Sequence, residues 1–183
     1  MTELKPSNVT EAALVERPTL RFMLAHPLQL IALGFGSGLS PFAPGTFGTL
    51  FAWASFRALD IALPPDVFLL LILLSFVLGI VAIEKTGNAL GEIDHGSIVW
   101  DEIVPFWGVL WLLSQVMGDN LLWQGIAFAL FRFYDIKKPW PASYYDRHVK
   151  NGYGVMMDDV IAALYTAITL ALLLVAVYFG SHH

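Results

Sequence analysis

The sequence predicts an all-α integral membrane bundle of about four to five hydrophobic helices, joined by Gly/Pro-rich and acidic cytoplasmic loops. Three observations lead there. Only 14% of the 183 residues are charged, against roughly 25% in an average soluble domain. Residues of the AVILMFWYC set make up 57%, more than one core of so short a chain can bury. The apolar residues also gather in runs that approach the length of a bilayer crossing. Intrinsic disorder needs the opposite composition.

Residues 1–27 are polar and mixed in charge. No apolar stretch followed by a small-residue cleavage site opens the chain, so this segment reads as a cytoplasmic arm and not a signal peptide. Residues 1–15 are expected to form a flexible tail, and Leu20–Leu33 to run along the membrane surface. Residues 28–183 are read as the membrane domain. Gly34–Leu50 is rich in glycine, proline and hydroxyl residues, which oppose a regular helix and predict a loop.

Five apolar segments follow. Thr46–Leu63 carries Arg57 and Asp60 near its end, whereas Val67–Ile83 carries no charge. Ile103–Met117 and Leu121–Phe131 are short for spanning helices, so a tilted pair, a thinned bilayer, a re-entrant pair and a buried hairpin all fit them. Val160–Gly180 is uncharged and long enough to span outright. The short connections Pro64–Asp66 and Gly118–Asn120 contain no Lys or Arg. Six of the ten basic residues fall in Glu84–Glu102 and Arg132–Asp159, and three more in the arm. The positive-inside rule places the arm and both long connections in the cytoplasm. Trp53, Trp100, Trp123, Trp140, Tyr144, Tyr145 and Tyr178 lie near segment ends, as interfacial anchors do.

The chain has no cysteine, which excludes disulfides, thiolate metal sites and cysteine nucleophiles. Its net charge of −5 argues against nucleic acid as a partner. The acids are concentrated instead. Asp101-Glu102 precedes Ile103 and Pro105, and proline suits the first turn of a helix. Asp158-Asp159 precedes the last apolar segment, where an Asp makes a good N-cap. Each pair alone reads as capping or dipole compensation. Two pairs at one membrane face exceed what capping needs, and converging carboxylates are the ligand set of Mg²⁺.

Arg132, Asp135 and Lys138 follow at i, i+3 and i+6, and Pro139 ends the helix by pushing Lys138 out of αR geometry. Two cations bracketing an acid suit either a phosphate beside a metal ion or an ordinary basic helix end. Gly36, Ser37, Gly38, Ser40, Gly45 and Thr46 could close around phosphate, or only form a turn. The loop is neither a Walker loop nor a dinucleotide fingerprint. His95 and His148 lack a partner at metal-site spacing, and a surface or capping role is expected of both.

Four blocks then carry a resemblance. They are Gly34-Phe-Gly-Ser-Gly-Leu-Ser-Pro-Phe-Ala-Pro-Gly-Thr-Phe-Gly-Thr49, Asp94-His-Gly-Ser-Ile-Val-Trp-Asp-Glu102, Phe131-Arg-x-x-Asp135-x-x-Lys138-Pro-x-Pro141 and Gly152-x-Gly154-x-Met-x-Asp158-Asp159. In this order, over about residues 28–165, the chain resembles the phosphatidylglycerophosphatase A family. His95-Gly96-Ser97 resembles its proteobacterial branch. The resemblance implies a multi-pass enzyme of the bacterial inner membrane with its active site on the cytoplasmic face. It implies Mg²⁺-dependent removal of the terminal phosphate of phosphatidylglycerophosphate, the last step of phosphatidylglycerol synthesis.

On that resemblance, metal-activated water is the expected nucleophile, since no cysteine, aspartyl-phosphate motif or histidine phosphatase signature is present. Asp101, Glu102, Asp158 and Asp159 are the expected Mg²⁺ ligands, with Asp101 and Glu102 also counted as catalytic. Asp135 is a ligand or the general base. Arg132 and Lys138 would bind the phosphate, with Arg147 as a further candidate. Gly36, Ser37 and Thr46 would close over it, and Asp94 would stand behind the ligands. Two other classes share the membrane and the acids. A small transporter or channel usually holds its carboxylates near the membrane midplane. A CDP-alcohol phosphotransferase needs an Asp-Gly-rich signature absent here.

Overall fold

The computed structural model describes residues 17–180, and all regular structure among them is helical. Two short helices, α1 (Leu20–Leu24) and α2 (Pro27–Ala32), lead into a kinked 3-10 turn over Gly34–Leu39. Then come α3 (Pro44–Ala62), α4 (Pro65–Leu90), α5 (Trp100–Met117), α6 (Leu121–Lys137), α7 (Ala142–His148) and α8 (Gly152–Gly180). The tail expected over residues 1–15 lies outside the described residues.

The chain passes back and forth along one bundle axis. At a rise of ~1.5 Å per residue, α3, α5 and α6 are each about 25–29 Å long, comparable with a hydrocarbon core of ~30 Å. Leu121–Phe131 looked short because Arg132, Asp135 and Lys137 are charged. The helix nevertheless runs through them, because Arg132 and Asp135 pair with each other and with Glu102 while Lys137 points to the exposed side. Helices α4 and α8 are long and apolar enough to cross a membrane. Their outward faces carry Leu70, Leu73, Leu74, Val77, Leu164, Ile168 and Leu172, all exposed. A water-facing helix would not show such a stripe.

Helix α5 is the centre, packed against α3, α4, α6 and α8. Its buried face supplies Ile103, Phe106, Trp107 and Leu110. Aromatic rings stitch the neighbours to it: Phe68 lies 5.5 Å from Phe56 and 6.3 Å from Trp107, centroid to centroid. The Trp107 indole N–H donates to the Ala52 carbonyl at 3.0 Å, joining α5 to α3. At the end of the bundle where α3 meets α6, Arg57 pairs with Asp119 at 2.6 Å, and Gln124 bridges Asp119 to the Trp53 indole.

Several expectations change. Trp100 is buried and donates to the Ser75 carbonyl, so it is not an interfacial anchor, and the half-buried Trp53 donates to Gln124. The predicted Gly34–Leu50 loop ends at Ala43, because Pro44 starts α3 and Thr46 is already in its first turn. The charged connections are partly helix too: α4 runs on to Leu90, α6 to Lys137, and α7 and the first turns of α8 follow, which leaves 91–99, 138–141 and 149–151 as loops. Pro105 lies in the second turn of α5, where it leaves the Asp101 carbonyl without its usual helical donor. Asp158 and Asp159 cap nothing, since α8 begins at Gly152. Its free N–H groups are taken by Glu84, which accepts from Gly152 N–H at 2.6 Å, and by Asn151, which accepts from Gly154 N–H at 2.9 Å.

Candidate active site

The alternating path brings the starts of α3, α5 and α8 and the ends of α4 and α6 to one end of the bundle. Each contributes polar groups within its first or last turns. Helix α5 carries Asp101 and Glu102, α6 carries Arg132 and Asp135 on one face, and α8 carries Asp158 and Asp159. Lys138 caps α6 in the left-handed region, with φ 43°, and its N–H donates to the Tyr134 carbonyl at 2.8 Å; Pro139 after it prevents the helix from continuing.

Two ion-pair groups frame the site. Arg132 Nη1 lies 2.9 Å from Glu102 Oε1 and 2.5 Å from Asp135 Oδ2. Neither contact has hydrogen-bond geometry, and the buried Nε has no partner. The guanidinium therefore keeps donors for a further acceptor. On the other side, Lys138 Nζ contacts Asp158 and donates to Asp146 Oδ1 at 2.8 Å. Burial alone would lower the Lys138 ammonium, but the Asp158 charge and both hydrogen bonds outweigh it and hold it above its ordinary value. Burial would likewise raise Asp146, yet Lys138 pulls that carboxyl below its usual range. Asp94, in the loop after α4, is raised by burial despite the attraction of Lys138.

Asp101 and Asp159 are buried like Asp158, 6% and 3% exposed. Asp101 Oδ1 is buried and has no hydrogen-bond partner. Asp159 is repelled by Asp135, Asp158, Asp101 and Glu102. Arg132 and Lys138 cannot balance this many acids, and unbalanced buried charge is costly. Among the described residues no three acid or imidazole groups already converge as a closed metal cage. The donor chemistry nonetheless fits a hard divalent cation: oxygen ligands, surplus negative charge and an orphaned carboxylate oxygen.

The structure thus brings together Asp101, Glu102, Arg132, Asp135, Lys138, Asp158 and Asp159. The other candidates make different contacts. A Cβ on Gly36 would meet only Met23, and the Ser37 hydroxyl donates to the Gly34 carbonyl at 2.8 Å. Thr46 is half-buried in α3, and Arg147 is exposed at the end of α7. His95 is buried, and its Nδ1 accepts from the Ser97 N–H at 3.1 Å, a local cap. His148 is exposed and stacks on Tyr144.

Two contributors, Thr49 and Asp146, were not singled out from the sequence, and a third, Gly45, was read there as a phosphate-loop candidate. Thr49 donates to Glu102 Oε2 at 3.4 Å, a long contact, and more firmly to the Gly45 carbonyl at 2.9 Å. Gly45 lets Glu102 approach α3: a Cβ there would sit 2.0 Å from Glu102 Oε1. Asp146 holds Lys138. Extending α3 back to Pro44 would have placed Gly45 and Thr49 one turn apart on a single face.

Fold and site together define an all-helical, membrane-type bundle with buried carboxylates and two cations gathered at one end. Comparison with known proteins makes this specific. The Phosphatidylglycerophosphatase A family profile matches residues 30–174. A Phosphatidylglycerophosphatase A of Haemophilus influenzae is 45% identical over 151 residues, covering 82% of this chain and 91% of the relative. One from Escherichia coli K12 is 39% identical over 163 residues, covering 89% and 88%. A putative phosphatidylinositol-3-phosphatase of Bacteroides thetaiotaomicron is 44% identical over 148 residues, covering 78% and 90%. No solved structure matches. The chain belongs to the phosphatidylglycerophosphatase A family of lipid phosphatases.

Proposed function

We propose that this chain hydrolyses the terminal phosphomonoester of phosphatidylglycerophosphate, giving phosphatidylglycerol and inorganic phosphate, with Mg²⁺ as cofactor. The observation that carries the reading is the orphaned, buried Asp101 Oδ1 within a surplus of carboxylates, beside two held cations. Asp101 and Asp159, with Glu102 and Asp158, would hold the ion. When bound, Mg²⁺ offsets their mutual repulsion and makes a water molecule more acidic.

Arg132 and Lys138 bind the phosphate oxygens. Arg132 suits this because its Nε is desolvated and unpartnered. Asp135 pairs with the guanidinium and would accept the proton of the attacking water. As water adds to phosphorus, the bond from phosphorus to the glycerol oxygen would break, and that oxygen would leave as a hydroxyl with the proton taken up by Asp135. The negative cluster and the two cations sit within the first and last turns of their helices, unlike the midplane acids of a transporter.

The protein is proposed to be a multi-pass protein of the bacterial inner membrane, with this site on the cytoplasmic face. Lys85, Arg132, Lys137, Lys138, Arg147 and Lys150 all belong to the site end, which supports that orientation. The test uses purified protein in detergent with phosphatidylglycerophosphate, assayed for phosphate across a Mg²⁺ titration and with chelator. Release that rises with Mg²⁺ and stops with chelator is expected. Phosphatidylinositol 3-phosphate belongs in the same assay, given the name of the Bacteroides relative. Preferred hydrolysis of that lipid would replace the proposed substrate.

A further inference from the structure

Below the carboxylates an apolar groove runs down the outside of the bundle between α4, α5 and α8. Its upper part, about 360 Å³, is lined by Ile72, Val104, Gly108, Leu112, Val160 and Ala167 among others. It continues between α5 and α8 as a second hollow of about 230 Å³ that shares Val109, Leu112 and Ala167. A third, shared at Val116 and Leu174, extends it to Met117 and Tyr178. From Val104 to Met117 the groove follows α5 for roughly 20 Å at the helical rise.

Its upper end is joined to the site. Val160 follows Asp159 directly, and Val104 and Pro105 stand three and four residues after Asp101, one turn further along α5. Gly108 also calls for an explanation. A glycine inside a helix costs about 1 kcal/mol relative to alanine. At other helix contacts in this bundle a glycine is forced by a close neighbour, as at Gly45 and Gly79. A Cβ on Gly108 would meet nothing within 4 Å. The glycine therefore serves no packing contact among the described residues, and its effect is to leave the groove open.

We propose that this groove is the binding site for one acyl chain of the lipid whose phosphate is at the carboxylate cluster. The reading rests on the lipid phosphatase function proposed above. A chain covalently tied to a phosphate at Asp101 and Asp159 must leave the site through the apolar surface next to them, and this groove is contiguous with both. Burying methylenes along it contributes to substrate binding at about 0.8 kcal/mol for each. A second copy of the chain could cover the same surface, and the test separates the two.

Gly108→Leu fills the groove from a position with free space, and Gly108→Ala is the control for helix propensity. Each is assayed against long-chain phosphatidylglycerophosphate and against the same headgroup carried on short, water-soluble chains. The expected result is a KM for the long-chain lipid raised about ten-fold or more in Gly108→Leu, equivalent to losing two or three buried methylenes. Activity on the short-chain compound stays within about two-fold of the unsubstituted protein, which also reports correct folding, and Gly108→Ala, which adds one methyl to the groove, raises the long-chain KM less than Gly108→Leu does. An equal change on both substrates, or none on either, overturns the proposal.

Independently, a lipid with a photoreactive acyl chain should crosslink to groove residues on α5 and α8. Excess unlabelled lipid bearing a phosphomonoester headgroup should compete, and lipid lacking it should not. Equal competition by both lipids, or crosslinks joining two copies of the chain through the groove, overturns it. If the unsubstituted protein releases no phosphate from either substrate, the phosphatase reading fails, and the crosslink still decides who occupies the groove.

Discussion

Gly45→Ala isolates the position of Glu102 from its chemistry. The added Cβ would sit 2.0 Å from Glu102 Oε1 and 2.7 Å from its Cδ. To reach ordinary contact the carboxylate must retreat by more than about 1 Å. That movement breaks its 2.9 Å contact with Arg132 and its 3.4 Å contact with Thr49. The yielding atom is the far end of a flexible side chain, so the backbone need not shift. Alanine also improves the helix by up to ~1 kcal/mol over glycine, which offsets part of an overpacking cost of about 1–3 kcal/mol. Stability should fall by no more than about 2 kcal/mol by this sum. Activity should fall much further, on the order of 100-fold, as a misplacement of about 1 Å in a catalytic group does. Thermal unfolding in detergent and phosphate release from phosphatidylglycerophosphate read the two quantities on the same sample. Unchanged kcat and KM in a folded variant would refute the view that Glu102 is held by α3 for catalysis.

Asp159→Asn removes a buried carboxylate that meets only other acids among its strongest electrostatic neighbours. It should abolish Mg²⁺-dependent turnover while leaving Tm unchanged or raised, and near-normal phosphate release would count against its role. Arg132→Ala should chiefly raise KM, because the guanidinium meets the phosphate in the ground state; a loss confined to kcat would assign it to the transition state instead. Glu84→Gln weakens the acceptor of the 2.6 Å bond from Gly152 N–H at the start of α8. Unfolding measurements should show a loss of about 1 kcal/mol, as for other N-terminal caps. Arg57→Ala, which breaks the half-exposed pair with Asp119 and leaves Gln124 its partner, should cost no more than about 1 kcal/mol in the same assay.

The apolar scaffold was legible because lipid-facing helices need long uncharged runs, and Val67–Ile83 and Val160–Gly180 are such runs. The cluster was legible as well, since two pairs of adjacent acids expected at one membrane face are more than capping requires. What local reading lost was where those helices begin. Asp158 and Asp159 resemble caps when the chain is read from the apolar side, yet α8 starts earlier because Glu84, far away in sequence, satisfies its first N–H. Helix ends stabilised by distant partners leave no local signal. Likewise, Gly45 read as loop chemistry, although its purpose is set by Glu102 on another helix. Trp100 suggested the interface because it neighbours charges, but its indole finds the Ser75 carbonyl inside the bundle.

The central claim is that the buried carboxylates at the end of the bundle hydrolyse a lipid phosphomonoester. Phosphate release from phosphatidylglycerophosphate by the unsubstituted protein and by Asp101→Asn, measured side by side in Mg²⁺, tests it most directly. Turnover in the first and none above background in a folded Asp101→Asn protein is the predicted result. Equal turnover in the two would contradict the account.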